Sequence, residues 1–322
     1  MLRRAVLLAA LPALLPRRAR AAPKRVALLA TGTPEQPFTV ETLALMRQGL
    51  AVQGLRDAAD YALEPHWAAG DYGSFARAAR EIARRRPDVV VVLTITAAEA
   101  MRDLAPTVPT VMMHVNDPVA VGLVPSLARP GGNLTGTAGV TADMLDKTLD
   151  LLAVLRPGLA EVGMVFNPAN PSNPRMLAQA ETRLRARGTR LRPLPWSDGG
   201  VPALRNALQA DPPGALLMFP DGALLDHAPA LAGLGLELGL PVAAMIRTFP
   251  EHGALLSYGF PRAPLVLRTM YFVRRVLEGT APADLPIEQP SQFELVLNAR
   301  VARQLGMTLP LDLLAQAETV IE

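Results

Sequence analysis

Polar residues able to hold a small molecule recur in this chain directly after short apolar runs. Asn116-Asp117 follows residues 110–115, Thr94-Ile95-Thr96-Ala97 follows 88–93, and Thr31-Gly32-Thr33 follows 25–30. Asn167 to Asn173, Pro220-Asp221 and Arg247-Thr248 stand in the same relation to 161–166, 215–219 and 242–246. In open α/β sheets, ligands bind beyond the carboxyl ends of strands, so these loops form the candidate site. Asp117, held by Pro118, suits an ammonium or hydroxyl group, and Asp221 suits an amine. Thr96 ahead of Ala97 and Ala98 has the pattern of a helix N-cap, where free backbone N–H groups accept a carboxylate. Arg247 offers a partner for a carboxylate. Thr33 and Asn167 add polar contacts, and Tyr258 could line an apolar subsite with Phe166 and Phe219. Each has a plain structural alternative: Asp-Pro and Asp-Gly form turns, a Thr can cap without a ligand, an Arg can be solvated, and a Phe can fill a core.

Catalytic constellations are missing. The four histidines, His66, His114, His227 and His252, have no metal-ligand spacing. No nucleophile elbow, Walker loop or glycine fingerprint follows the first apolar run. Cysteine is absent, which excludes disulfides, thiolate metal sites, a Cys nucleophile and a lipid-modified cysteine. Neither an enzyme nor a cofactor is expected.

The elements that would position these loops alternate. Strand-type runs at 25–30, 61–66, 88–93 and 110–115 are separated by helical patterns at 39–52, 74–85 and 97–105. A second series follows: helix 142–156, strands at 161–166, 191–194, 215–219 and 242–246, and helices at 174–187, 201–210 and 225–238. Two similar α/β halves with a cleft between them follow from this rhythm. Further on, 253–259 reads as a strand, 262–278 as a helix and 293–297 as a strand.

The run Asn116-Asp117-Pro118-Val119-Ala120-Val121-Gly122-Leu123-Val124-Pro125-Ser126-Leu127-Ala128-Arg129-Pro130-Gly131-Gly132-Asn133-Leu134-Thr135-Gly136 resembles the signature of ABC-transporter substrate-binding proteins related to the tryptophan- and phenylalanine-binding lipoproteins. Trp67-Ala68-Ala69-Gly70-Asp71-Tyr72, Asn167-Pro168-Ala169-Asn170-Pro171, Gly253-Ala254-Leu255-Leu256-Ser257-Tyr258-Gly259, Pro282-Ala283-Asp284-Leu285-Pro286 and Leu305-Gly306-Met307-Thr308-Leu309-Pro310 are similar to further blocks of that family, in family order. One departure is His66, where relatives commonly carry Arg. The resemblance implies a type I periplasmic-binding-protein architecture: two doubly wound Rossmann-like lobes joined by a three-strand hinge and closing over a small ligand. It also implies a chain that returns to the first lobe before ending in the second. The expected divisions are a leader over 1–22, a first lobe of 23–136 plus 257–288, and a second of 137–256 plus 289–322. Hinge segments are expected near 135–140, 257–258 and 287–293. The implied ligand is an amino acid or related carboxylate, and the implied partner is an ABC permease in the inner membrane.

The N-terminus has the form of a secretory signal peptide: Met1-Leu2-Arg3-Arg4, an apolar stretch from Ala5 to Leu15, and small residues around Ala19 and Ala21. A periplasmic, monomeric protein is expected. The leader carries five Arg and no acid, so its removal takes the net charge from +3 to −2. That disfavours a nucleic-acid partner, and only Lys24 and Lys147 are lysines. A periplasmic sensor for a membrane signalling partner and an exported α/β enzyme are the alternatives. A LacI-type regulator is disfavoured by the leader and by the lack of a helix-turn-helix segment.

Overall fold

The computed structural model describes residues 22–139, 141–196 and 199–322, so all but the last residue of the expected leader lies outside the described residues. The chain opens with a βαβ series: β1 (Lys24–Ala30), α1 (Pro37–Val52), β2 (Tyr61–Trp67), α2 (Phe75–Arg85), β3 (Val89–Val92), α3 (Ile95–Leu104), β4 (Thr110–Asn116) and β5 (Leu134–Gly139). The second half runs α4 (Thr141–Leu155), β6 (Glu161–Phe166), α5 (Asn173–Ala186), β7 (Arg190–Pro195), α6 (Gly200–Ala210), β8 (Ala215–Met218), α7 (Gly222–Leu225), α8 (Ala228–Glu237), β9 (Val242–Ala244), α9 (Thr248–Glu251) and β10 (Leu256–Gly259). α10 (Arg262–Leu277), β11 (Ile287–Glu288), β12 (Glu294–Asn298), α11 (Ala299–Gln304), α12 (Leu311–Gln316) and β13 (Thr319–Ile321) complete the chain.

Two sheets result, with strand orders β11-β5-β4-β3-β1-β2 and β13-β12-β10-β9-β8-β6-β7. Every described pairing is parallel except β10 with β12. The four valines of β3 are wholly buried, as a strand covered by helices on both faces requires. Phe75, Ile82 and Met101 cover one face of the first sheet, while Met46, Leu50, Val266 and Met270 cover the other. Each half is therefore doubly wound. The return is made by α10, which packs on α1 of the first half: a Cβ at Gly49 would lie 2.6 Å from Met270 Cγ, so only glycine allows this approach.

Sheet membership corrects two expected boundaries. Residues 137–139 continue β5 in the first sheet, and 257–259 belong to β10 in the second. The cause is register: β5 keeps pairing with β4 out to Asn116↔Gly139, and β10 pairs with β12 out to Gly259↔Glu294. The helix expected over 225–238 is split into α7 and α8, with a proline in the first turn of α8. Proline is tolerated there because a first-turn N–H has no helical partner.

Candidate functional site

The ends of the strands build the site. Thr31 follows β1, Thr94 follows β3, His114 and Asn116 end β4, Asn170 follows β6 and Asp221 follows β8. Together with Phe38, Tyr72, Ser172 and Arg262 they line one cleft between the halves, with about 1040 Å³ of empty space counted out to its mouth. Leu93, Met113, Ile246, Phe260 and Val266 give it largely apolar walls. A cleft of this character, apolar with a few convergent polar groups, suits a small amphipathic molecule.

Asp221 is the most heavily coordinated group in the cleft. It is 4% exposed and accepts from Asn170 Nδ2 at 2.8 Å, Asn167 Nδ2 at 3.1 Å and the Ala223 amide at 2.9 Å. The Tyr72 hydroxyl reaches it from the first lobe at 3.4 Å, and burial beside that carboxylate pushes the phenol pKa up, so Tyr72 stays a donor. Two more contacts cross the cleft. The Phe38 amide donates to Asp226 Oδ1 at 2.9 Å, and Arg175 donates to the Ala120 carbonyl at 3.1 Å. Gln36 offers no side-chain cap to α1, so Asp226 satisfies a free helix N–H from the opposite lobe.

The first-lobe wall presents the N-terminus of α3. Its cap is Thr94, whose hydroxyl accepts from the Ala97 amide at 3.2 Å, while Thr96 lies inside the first turn; this corrects the expected cap at Thr96. The early N–H groups of such a turn have no partner within the helix and favour anions. Arg262 is mostly buried at the start of α10. It donates to Glu41, Thr42 and the Phe38 carbonyl and lies over the Phe38 ring at 4.2 Å. Its charge is thus spent within the first lobe.

Five of the eight expected residues fall into two groups, and three fall into neither. Thr33, Asn167 and Asp221 line a smaller pocket beside Tyr72, while Thr96 and Asp117 line another with Asn116 and Arg175. Asp117 adopts a left-handed φ of 44°, and burial raises its carboxyl pKa above the usual range. Ala97 lies buried behind the cleft wall. Arg247 lies outside the cleft, bound to Glu251 at 2.8 Å and to the nearly buried Glu294 at 2.9 Å; a helical i,i+4 carboxylate and an adjacent strand outcompete the cleft for it. Tyr258 also lies outside, stacked on Phe293 with ring centres 5.8 Å apart. Phe219 is core, fully buried, and His66 sits half-buried on β2.

Sequence reasoning named the loops holding Thr94, Asn116 and Asn170 but singled out their neighbours. It passed over Tyr72, His114 and Arg262. The available signal for His114 was a polar ring inside an otherwise apolar run; nothing local marked Arg262 as returning to the first lobe. Among the described residues no His/Asp/Glu group is arranged to hold a metal ion, and no helix is long and apolar enough to cross a membrane.

Two doubly wound lobes with three chain crossings and a cleft at their strand ends define the type I periplasmic-binding-protein architecture. The chain belongs to the ABC transporter substrate binding protein family, whose model matches residues 35–321. A tyrosine-binding protein of Clostridioides difficile is 22% identical over 265 residues, covering 81% of this chain and 75% of that protein. A conserved domain protein of Vibrio cholerae superposes with a TM-score of 0.82 at 24% identity, covering 92% of this chain and 99% of that one. An ABC domain of Streptococcus pneumoniae in complex with L-Trp gives 0.81 at 21% identity, covering 93% and 100%. The family binds substrates rather than transforming them, so the chain is a binding protein and not an enzyme.

Proposed function

We propose that the chain is the periplasmic receptor of an ABC importer. It captures an amino acid or closely related carboxylate between its lobes and presents the closed form to a membrane permease. The observation that carries this reading is the arrangement of opposite polarities across an apolar cleft. The anion-binding N-terminus of α3 lies on the first lobe, and the Asp221 carboxylate with its two Asn amides lies on the second. A zwitterion spanning that gap satisfies both ends at once, and burying it without such partners costs several kcal/mol per charge. Thr33, Thr96, Asp117, Asn167 and Asp221 are the expected residues retained as ligand contacts. The L-Trp complex and the tyrosine-binding relative support this ligand class.

Closure is a population shift that a ligand drives by contacting both lobes. The lobes divide at the crossings, with 24–139 and 262–288 in the first and 141–259 and 294–322 in the second. The leader-like N-terminal sequence supports export, and membership of the family supports a permease partner. The test is a melting series on the chain from Pro23 against amino acids, small carboxylates, nucleosides and sugars. A saturable rise with amino acids or their carboxylate relatives, with the ligand recovered intact, is expected from linkage. A rise confined to sugars or nucleosides refutes the ligand class.

A further inference from the structure

The end of β4 departs from regular strand geometry inside the cleft. The β4–β5 register shifts between Met112 and Val115, and His114 within that bulge takes a left-handed φ of 57°. Its amide is held by Thr137 Oγ1 at 3.0 Å, and its ring lies against Phe260 with centres 3.9 Å apart. Such backbone is unfavourable for a non-glycine residue, and bulges re-aim side chains. Here the bulge turns His114 to the cleft that Asn116 also lines. Both side chains converge on Gly139: a Cβ there would collide with Asn116 Oδ1 and stand 3.0 Å from His114 Nε2.

Two polar atoms at this spot have no partner among the described residues. His114 Nδ1 and Asn116 Oδ1 are both buried without a hydrogen bond. Leaving such atoms unmatched is unfavourable, so their presence in a ligand cleft calls for an explanation. Met113, Phe260, Leu265 and Val266 line the same cleft, so a ligand with an apolar portion can be held beside this pair.

We infer that His114 and Asn116 are specificity-determining residues that read a neutral hydroxyl on an amphipathic ligand. The inference rests on the proposed capture of an amino acid or related carboxylate in this cleft. A neutral imidazole offers one donor and one acceptor, and a carboxamide offers both. A hydroxyl does likewise: with the His114 proton on Nδ1, it accepts from that N–H and donates to Asn116 Oδ1. A carboxylate does not fit, because burial holds the His114 pKa down to about 3 and the ring supplies no cation. An ammonium does not fit either, because it only donates, cannot accept from an imidazole N–H and meets no negative charge at this pair. A purely hydrocarbon end would leave the pair unmatched, a penalty sites of this kind use to reject analogues that lack a polar group.

The test is calorimetric titration of the chain from Pro23 with two matched pairs, L-tyrosine against L-phenylalanine and 3-(4-hydroxyphenyl)propionate against 3-phenylpropionate. The hydroxylated member of a binding pair is expected to bind at least tenfold tighter. His114→Phe, which keeps the ring contact with Phe260, and Asn116→Leu should each bring the ratio to within about threefold of unity. His114→Asn, which tolerates the left-handed backbone, should retain a preference. Equal affinities within each pair in the unaltered protein overturn the inference while leaving amino-acid capture intact. A ratio that survives in folded His114→Phe and Asn116→Leu proteins also overturns it. Failure of all four probes to bind overturns the inference and counts against the ligand class beneath it.

Discussion

The Phe38 amide at the start of α1 donates to the Asp226 carboxylate of the opposite lobe at 2.9 Å, so one lobe caps a helix of the other. Asp226 is held partly out of water, which raises its pKa, and this cap is available only when the lobes are together. Replacing Asp226 with Ala should weaken ligand binding roughly 3- to 30-fold, the equivalent of about 0.5–2 kcal/mol for a lost cap. The loss should appear mainly as faster dissociation in stopped-flow measurements, because the contact forms after the ligand is in place.

Asp221 organises the second-lobe side of the cleft through Asn167 and Asn170. Asp221→Ala leaves two amides without their acceptor at a cost of about 1–3 kcal/mol. Ligand affinity should fall by more than tenfold in calorimetric titration.

Arg247 separates stability from binding. Removing it strips a partner from Glu294, whose side chain is 11% exposed, while Arg247 itself is 37% exposed and its pairing is partly screened. Arg247→Ala should lower unfolding stability by about 1–2 kcal/mol in urea. Its ligand affinity should stay within twofold, since it lies outside the cleft.

Acid should destabilise the protein through His114. Its folded pKa of about 3 lies below the ordinary 6.5, so between those values the unfolded chain binds more protons. The contribution is complete above pH 6.5 and is lost as pH falls toward 3, with a slope of at most about 1.4 kcal/mol per pH unit. Urea unfolding at pH 7 and pH 5 should show a shallower pH dependence for His114→Asn than for the unaltered protein.

Gly139 leaves room for the His114–Asn116 pair. Gly139→Ala drives a Cβ into Asn116 Oδ1, an overpacking that should cost about 1–3 kcal/mol. Thermal unfolding should report the loss, and ligand selectivity should change with it.

The lobes were legible because period-2 and period-3.6 patterns are local. β6 falls on the expected residues, and most other strands lie within a residue or two. The loops after the strands were legible for the same reason, since a parallel sheet sends all its carboxyl ends to one edge. Which side chain in each loop turns inward was not legible. Thr94 rather than Thr96 caps α3 because β3 ends one residue before Leu93, and His114 enters the cleft only through a register shift set by β5. Arg247 left the cleft for Glu294, a partner 47 residues away that periodicity cannot supply. The crossings were misplaced by about three residues because pairing with a distant strand decides where a strand stops.

The central claim is capture by closure between the lobes, and solution scattering tests it most directly. The ligand giving the largest melting shift would be added at saturation to the unaltered protein and to Asp226→Ala. Closure predicts a smaller radius of gyration on binding in the unaltered protein, with a higher ligand concentration needed for the same compaction in the variant. Saturable binding with no change in the radius of gyration, from a ligand-free form already compact, would contradict it.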